Sequence, residues 1–248
     1  MLRTTIALGP AALVLTVVGS ATAATPSAAL RDGNIIISAD RLAPIVDYWS
    51  STTTNTNGSK STSSRTSISL VTSNPLAALG TVYNVPRFGL DGVIGPGVTI
   101  GGAAWIYTDL NASNSTTPAN GGSSTSFDQP KATYWGVAPR VGYILAIGDV
   151  VSLWPRAGVE YHDLSSGTVT NNGNTSGGSS STQLALDVDA LLVITPVHHF
   201  GITIGPGAAI PLTGKTSNTG TFAGQTTTTS NDLAMWWVGL NAGLLGYF

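Results

Sequence analysis

The chain of 248 residues contains no cysteine, so neither disulfides nor thiolate metal sites are available to stabilise it. Charged side chains are also scarce: they make up 9% of the chain, against about 25% in average soluble domains, and the formal net charge is only -2. No run of basic residues is present that could hold the phosphates of a nucleic acid. We therefore expect a fold that depends on backbone pairing and packing, with no cofactor, no metal and no nucleic-acid partner.

Long hydrophobic runs are missing as well. Hydrophobic residues form 42% of the chain, yet beyond the N-terminal segment no apolar stretch approaches the roughly 20 residues that a membrane-spanning helix needs. A closed β-barrel is the other structure in which every backbone polar group is satisfied in lipid. A hydrophobic chain without helical spans therefore favours a barrel if the protein enters a membrane.

The N-terminus has the order of a secretory signal peptide. Arg3 precedes an apolar run over residues 6–18, which is too short to span a bilayer, and small residues follow up to Ala23. This order predicts a signal peptide at 1–23, a flexible N-terminal lead at 24–33 and one β-domain at 34–248. A buried N-terminal helix is the alternative.

Short and long connections alternate along the rest of the chain. Tight turns occur at 95–97, 148–149 and 196–198, whereas the segments 50–64, 109–130, 164–181 and 213–230 are polar and rich in Ser, Thr, Asn and Gly. Eight strands are predicted between them: 35–49, 85–94, 98–108, 133–146, 150–163, 183–194, 200–212 and 235–248. Sorting of connections by length is typical of transmembrane barrels, which have short periplasmic turns and long extracellular loops. We expect the polar segments to be solvated loops that a partner could order.

The motif Gly205-Pro206-Gly207 copies the turn at 95–97 but lies in a stretch long enough for one span only. We interpret Pro206 as a kink within a single strand.

Aromatic residues cluster at the ends of the predicted strands. Phe200, Tyr247 and Phe248 lie near the short turns. Five others lie next to the long loops and predict a girdle at the outer membrane interface: Tyr48, Trp105, Trp135, Tyr161 and Trp236. A secreted β-sandwich with an aromatic core is the alternative, although a sandwich does not require loops sorted by length.

Charged residues on the spans share the face opposite to the apolar one. If the apolar face contacts lipid, the charges lie in the lumen, about 20 Å above the short turns for the main layer. The predicted lumen charge network consists of Arg87, Asp91, Arg140, Arg156, Glu160, Asp187 and Asp189. Since an eight-stranded interior is only wide enough for side chains, we predict a structural plug. A narrow porin-like channel for ions or small solutes is the alternative, because Arg140 and Arg156 on adjacent strands could repel each other into a solvated arrangement.

Catalysis is the third hypothesis. His162, Glu160 and Ser165 near the outer rim have the residue types of a base, an orienting group and a nucleophile, which would suit a lipid-modifying barrel enzyme. The spacing is nonspecific, and a lone inward histidine beside a glutamate at a barrel rim is more often a hydrogen-bonded structural residue, so we predict no catalytic residue. His198 and His199 lie in a predicted turn, where solvation accounts for them.

The terminal strand, 235–248, avoids charge on both faces and ends in Tyr247-Phe248. Its length and aromatic end resemble the final strand of bacterial outer-membrane β-barrels, and the whole pattern resembles the small OmpA-type and OmpX-type barrels. The resemblance implies an all-β, eight-stranded, antiparallel up-and-down barrel in the bacterial outer membrane. It also implies that Tyr247 and Phe248 form the signal read by the barrel-assembly machinery.

The expected role is structural or surface-interacting, and the expected state is a monomer surrounded by outer-membrane lipid. The chain departs from the pattern at Gly246, where a larger apolar residue is usual, and we expect no periplasmic domain after the barrel. No motif in the outer loops identifies an extracellular ligand.

Overall fold

The computed structural model describes residues 33–68, 83, 85–110, 113–116, 125–128, 130–171, 174–176, 178–222 and 225–248. The predicted signal peptide and nearly all of the N-terminal lead lie outside the described residues. Within the described part of the chain, no helix has the length and hydropathy needed to cross a membrane.

The described residues form fourteen strands. In chain order these are β1 (Ile35–Thr54), β2 (Lys60–Ile68), β3 (Arg87–Ile94), β4 (Val98–Thr108), β5 (Ser113–Thr116), β6 (Thr125–Asp128), β7 (Ala132–Tyr143), β8 (Leu145–Ala146), β9 (Val151–Ser166), β10 (Val169–Asn171), β11 (Asn174–Ser176), β12 (Ser179–Val197), β13 (Phe200–Phe222) and β14 (Gln225–Tyr247).

Eight of these strands close a ring in which every pairing is antiparallel. Following the ring, the order is β1, β3, β4, β7, β9, β12, β13 and β14, and β14 pairs back with β1. At the closure, the backbone N–H groups of Ile35 and Phe248 each donate to the carbonyl of the other, at 2.9 and 3.0 Å. The predicted eight-stranded up-and-down barrel is therefore confirmed.

Side chains alternate between an apolar outer surface and a filled lumen. Phe88 and Leu90 on β3 are 70% and 59% exposed, whereas Arg87 and Asp91, which flank them, are buried. The same alternation along β7, β9 and β12 agrees with the predicted facing of those strands. An uncharged outer band and a lumen that contains the charges are the arrangement that a bilayer requires.

Strand β13 runs without interruption through Gly205-Pro206-Gly207, which pair with 239–241 of β14. The interpretation of Pro206 as a position within one strand is thus correct.

Strand β1 contains a bulge that re-aims two charged side chains. Its pairing with β14 shifts between Ala39 and Ala43, and Arg41 has a left-handed φ of 58°. Three residues of β1, 40–42, lie opposite the single Gly243 of β14, so the bulge adds two residues. The consecutive side chains of Asp40 and Arg41 are both buried there, at 4% and 5% exposure.

The outer segments are more regular than their composition suggests. Residues 50–54, 213–222 and 225–230, predicted as loops, continue strands β1, β13 and β14, while β2 adds to β1. Short hairpins β5–β6 and β10–β11 form in two other predicted loops. The prediction of loops was wrong here for two reasons. Thr favours strands, and the paired strands of the barrel act as a template onto which further residue pairs can add. Strand β2 and the outer halves of β1, β14 and β13 form a four-stranded sheet, called here the outer sheet.

Candidate functional site

The lumen holds a layer of nine buried or mostly buried charged residues, called here the charged layer: Asp40, Arg41, Arg87, Asp91, Arg140, Arg156, Glu160, Asp187 and Asp189. All seven residues predicted for the network belong to it. Strands β1, β3, β7, β9 and β12 supply them, so the layer connects side chains that are far apart in the sequence.

One half of the charged layer is built around Arg87. Its two terminal nitrogens contact Glu160 at 2.8 Å and Asp187 at 2.9 Å. Arg41 donates to the second oxygen of Asp187 at 2.8 Å. Asp187 therefore bridges two guanidinium groups, which satisfies both of its oxygens inside the barrel.

The other half is built around Arg140 and Arg156. Arg140 contacts Asp91 at 2.5 Å and Asp40 at 2.6 Å, while Arg156 makes a bidentate pair with Asp189 at 2.7 and 2.9 Å. Arg156 also approaches Asp40 at 3.2 Å. Asp40 thus lies between the two guanidinium groups whose repulsion would have favoured the channel, and it offsets that repulsion.

Asp40 and Arg41 were missed by the sequence reasoning. A regular strand can direct only one of two neighbouring side chains into the lumen. When two adjacent charged residues occur in a strand that faces lipid on one side, a bulge is needed to bury both. The adjacency of Asp40 and Arg41 was therefore the signal in the sequence that could have revealed the bulge.

An aromatic cluster closes the lumen on the side of the long outer segments. Its largest members are Trp49, Tyr83, Trp105, Tyr134 and Trp237, all buried. The guanidinium of Arg41 lies 4.1 Å from the centre of the Trp237 ring, and that of Arg87 lies 4.1 Å from the Trp105 ring. The charged layer is therefore covered by aromatic faces that attract its cations.

Trp105 corrects the predicted aromatic girdle. Its side chain is only 6% exposed, whereas Ile106 next to it is 73% exposed. Alternation along β4 places Trp105 in the lumen, because strand position near an outer loop does not decide the face. The other four predicted girdle residues are exposed between 36% and 47%: Tyr48, Trp135, Tyr161 and Trp236.

Tyr83 lies between strands β2 and β3 and belongs to the aromatic cluster. Its ring is fully buried, stacks on Trp237 at 5.7 Å and meets His162 edge-on at 5.8 Å. Its hydroxyl donates to the carbonyl of Met235 at 3.2 Å and accepts from Gln183 at 2.8 Å. Tyr83 therefore fills the barrel mouth from within.

Gln183 repairs an irregularity in the barrel wall. The pairing of β13 with β14 is interrupted between Ala209 and Lys215, a stretch that contains Pro211, which has no N–H to donate. The side-chain amide of Gln183 accepts from the N–H of Met235 at 2.8 Å and donates to its carbonyl at 3.0 Å. One side chain thus replaces two ladder bonds.

A second apolar cluster closes the lumen on the side of the short turns. It contains Ile36, Val93, Ile144, Trp154, Leu191, Val193, Leu245 and Tyr247. The Trp154 indole N–H donates to the Thr99 hydroxyl at 3.0 Å. The cavity beside the charged layer has a volume of about 10 Å³, which is the room for about one water. The described lumen is therefore filled at three levels.

The two residues of the predicted assembly signal point in opposite directions. Tyr247 is buried in the lumen, whereas Phe248 is 67% exposed and its ring stacks on that of His199 at 5.9 Å. The His199 Nδ1 also lies 2.8 Å from the carbonyl oxygen of Tyr247. His198 and His199 are exposed, as expected for a turn, but His199 additionally contacts the C-terminal strand.

His162 lies inside the barrel with no exposed surface. Its Nδ1 is 3.0 Å from Glu160, and the rings of Tyr83 and Tyr134 meet it edge-on. Ser165 lies on the opposite face of strand β9, so the structure does not place this candidate nucleophile next to His162, the candidate base. Among the described residues, no group of three or more His, Asp or Glu side chains could hold a metal ion.

Comparisons with known proteins concern the fold. No family model matches the chain, and no curated protein sequence is close enough to count as a match. Among solved structures, the outer membrane protein OprG from Pseudomonas aeruginosa superposes with a TM-score of 0.50 at 11% identity, covering 88% of this chain and 96% of that one.

Two further structures are similar at lower scores. The outer membrane protein AlkL has a TM-score of 0.46 and 12% identity, with 91% of this chain and 94% of that chain covered. The outer membrane protease OmpT from Escherichia coli has a TM-score of 0.43 and 9% identity, with 88% and 97% covered. The chain has the fold of the bacterial outer-membrane β-barrels, closed by eight strands, and its uncharged outer band fits it to that membrane.

Proposed function

We propose that this protein is a plugged outer-membrane barrel with a structural or surface-interaction role. The observation that carries the proposal is the filling of the lumen by three successive layers: the aromatic cluster, the charged layer and the second apolar cluster. A conducting barrel would need a continuous aqueous path between its two mouths. The described lumen offers a cavity of about 10 Å³ at its charged level.

The pairing within the charged layer supports a plug over a selectivity ring. A ring that passes ions has charged groups that the ion itself can contact. In this layer, every guanidinium group instead contacts at least one carboxylate at a distance between 2.5 and 2.9 Å. The enclosed position of His162 likewise supports a structural histidine over a catalytic base, because a base must reach the proton it removes.

Recording in planar bilayers tests the plug. We expect the refolded protein to give no stable conductance steps under conditions in which a porin does. Arg65→Ala, which removes an exposed guanidinium, should leave the record unchanged. Stable steps from the unmodified barrel that disappear in Arg140→Ala would contradict the plug and favour the narrow channel.

The outer sheet supports the surface-interaction role. Its hydroxyl groups pair across strands, as Thr52 does with Thr62 and Thr219 with Thr228, both at 3.1 Å. A paired and regular sheet presents its side chains at constant spacing, which lowers the entropy lost when a partner binds.

A shortened hairpin tests this role. Replacing residues 218–229 by an Asn-Gly turn removes the tip of β13 and β14 while the ladder below it remains. We expect normal barrel levels and reduced attachment of whole cells to surfaces that the parent cells colonise. Unchanged attachment would contradict the surface-interaction role, and the structural role would be the one that remains.

A further inference from the structure

The positively charged side chains of the described barrel are sorted by type. Four of the five described arginines lie in the charged layer, and Arg65 lies in the outer sheet. The chain has only three lysines, and all three are exposed at the outer end: Lys60, Lys131 and Lys215. We call these three residues the lysine belt.

The pairing register shows which face the lysine belt occupies. Lys60 pairs with Thr54, Thr54 with Asp232, and Asp232 with Lys215. Since directly opposed residues share a face, these four side chains form one row across four strands. By alternation, Thr54 lies on the face of Tyr48 and Asp232 on that of Trp236, and both aromatic residues are exposed on the lipid-facing side.

Lys131 extends the belt to another part of the wall. It directly precedes β7, and its carbonyl accepts a bond from the N–H of Gly167, so the chain is still paired there. Because side chains alternate along a strand, Lys131 points to the same side as Thr133 and Trp135, so it faces lipid as well.

The heights of the lysines can be counted from the aromatic girdle. Lys131 lies four residues beyond Trp135, and the partner of Lys215, Asp232, lies four beyond Trp236. At roughly 3.3 Å per residue and a strand tilt near 40°, four residues rise about 10 Å. Lys60 pairs with Thr54, six residues beyond Tyr48, which gives about 15 Å by the same count. The belt therefore covers the level of the lipid headgroups and a few ångströms above it.

The described outer end also carries carboxylates, and none of them forms an ion pair with a lysine. Asp163, opposite Trp135, is partly exposed on the lipid-facing side of β9. Asp232 is the one carboxylate in the row, and it lies between two lysines; no ion pair within 4 Å involves any of the three lysines among the described residues. Asp109, near Lys131, accepts bonds from the Tyr107 hydroxyl and from the N–H of Ala132. At the opposite end, the described short turns carry Asp149 and no lysine or arginine. The exposed lysine and arginine side chains of the described barrel therefore all lie at its outer end.

We propose that the lysine belt binds the phosphate groups of lipopolysaccharide in the outer leaflet. An ammonium group is a compact charge with three donors on a flexible stem, which suits phosphates at variable positions. The spread of heights suits a lipid whose anionic groups extend outward along a large headgroup. This binding is independent of the plug, since none of the three lysines contacts the lumen.

Thermal unfolding in vesicles tests the proposal. The full mature barrel is refolded into phosphatidylcholine vesicles, alone, with lipopolysaccharide, or with phosphatidylglycerol at equal charge density, and folded protein is counted from its gel mobility without boiling. Four proteins are compared: the wild type, the triple variant Lys60→Gln/Lys131→Gln/Lys215→Gln, the matching triple Lys→Arg variant, and Arg65→Gln.

We expect lipopolysaccharide to raise the unfolding temperature of the wild type, and the triple Gln variant to lose about half or more of that increase. Arg65→Gln should keep it, because Arg65 pairs with the inward-facing Trp49 and so lies on the other face of the sheet. The triple Arg variant should also keep it, and about 0.5 M salt should weaken it.

Three outcomes would overturn the proposal. These are no increase with lipopolysaccharide in the wild type, a full increase in the triple Gln variant, and an equal increase with phosphatidylglycerol, which would show attraction to any anionic lipid surface.

Discussion

At the scale of single residues, the lumen depends on side chains that compensate for backbone irregularities. Arg41 adopts a left-handed φ so that Asp40 can lie between two guanidinium groups. Gln183 satisfies both backbone groups of Met235 where β13 no longer pairs with β14. Each irregularity would leave buried polar groups unpaired without its side-chain partner.

Replacing Gln183 by Leu should destabilise the barrel strongly. The N–H of Met235 would remain buried without a partner, whereas its carbonyl would keep the hydrogen bond from the Tyr83 hydroxyl. Leaving one buried N–H unsatisfied should lower the free energy of unfolding by about 2 kcal/mol. The measurement is urea-induced unfolding in lipid vesicles. Gln225→Leu, at an exposed position near the hairpin tip, is the control and should change stability by less than about 0.5 kcal/mol. Equal stability of both variants would contradict the repair role.

At the scale of elements, tight turns and extended ladders determine the shape. The turn between β3 and β4 contains Gly97 with a φ of 93°, and the N–H of Ile144 donates to its carbonyl at 2.7 Å. A Cβ at Gly97 would lie 2.7 Å from the carbonyl oxygen of Ile144. The turn between β1 and β2 contains Gly58 with a similar φ of 82° but no neighbouring atom within 4 Å of a Cβ.

Alanine at these two glycines separates backbone strain from steric contact. Gly58→Ala should cost about 1 kcal/mol, because only the left-handed conformation is penalised. Gly97→Ala should cost about 3 kcal/mol, since the contact with Ile144 adds to the same strain. Urea unfolding of both variants in the same vesicles makes the comparison. A cost at Gly58 equal to that at Gly97 would show that the contact has no effect.

At the scale of the whole molecule, the barrel closes where its first and last residues meet. The backbone of Phe248 makes two hydrogen bonds with Ile35, while its side chain projects outward beside His199. Closure therefore depends on the Phe248 backbone, whereas recognition by an assembly machinery would depend on its exposed ring.

Phe248→Ala should separate these two roles. Both closing bonds persist in this variant, so we expect refolding into vesicles at nearly the wild-type yield. In cells, loss of the exposed aromatic ring should reduce the folded fraction several-fold if Phe248 is part of the assembly signal. The readout in both settings is the shift in gel mobility between unheated and boiled samples. An equally normal yield in cells would remove Phe248 from the signal.

Much of the barrel followed from local pattern. Alternation with period two and the sorting of connections by length predicted eight strands, the facing of β3, β7, β9 and β12, and seven members of the charged layer. Composition misled the interpretation of the outer segments, because Ser and Thr tracts that look like solvated loops extend ladders once a template strand lies beside them.

The sequence by itself determined the class of fold and the side of β3, β7, β9 and β12 that faces lipid, because a one-residue alternation is a local property that the bilayer enforces. Only the tertiary structure decided the bulge at Arg41, the inward position of Trp105, the filling of the mouth by Tyr83 and the amide bridge of Gln183. Each of these depends on which distant strands come together and on which backbone groups those strands leave unpaired.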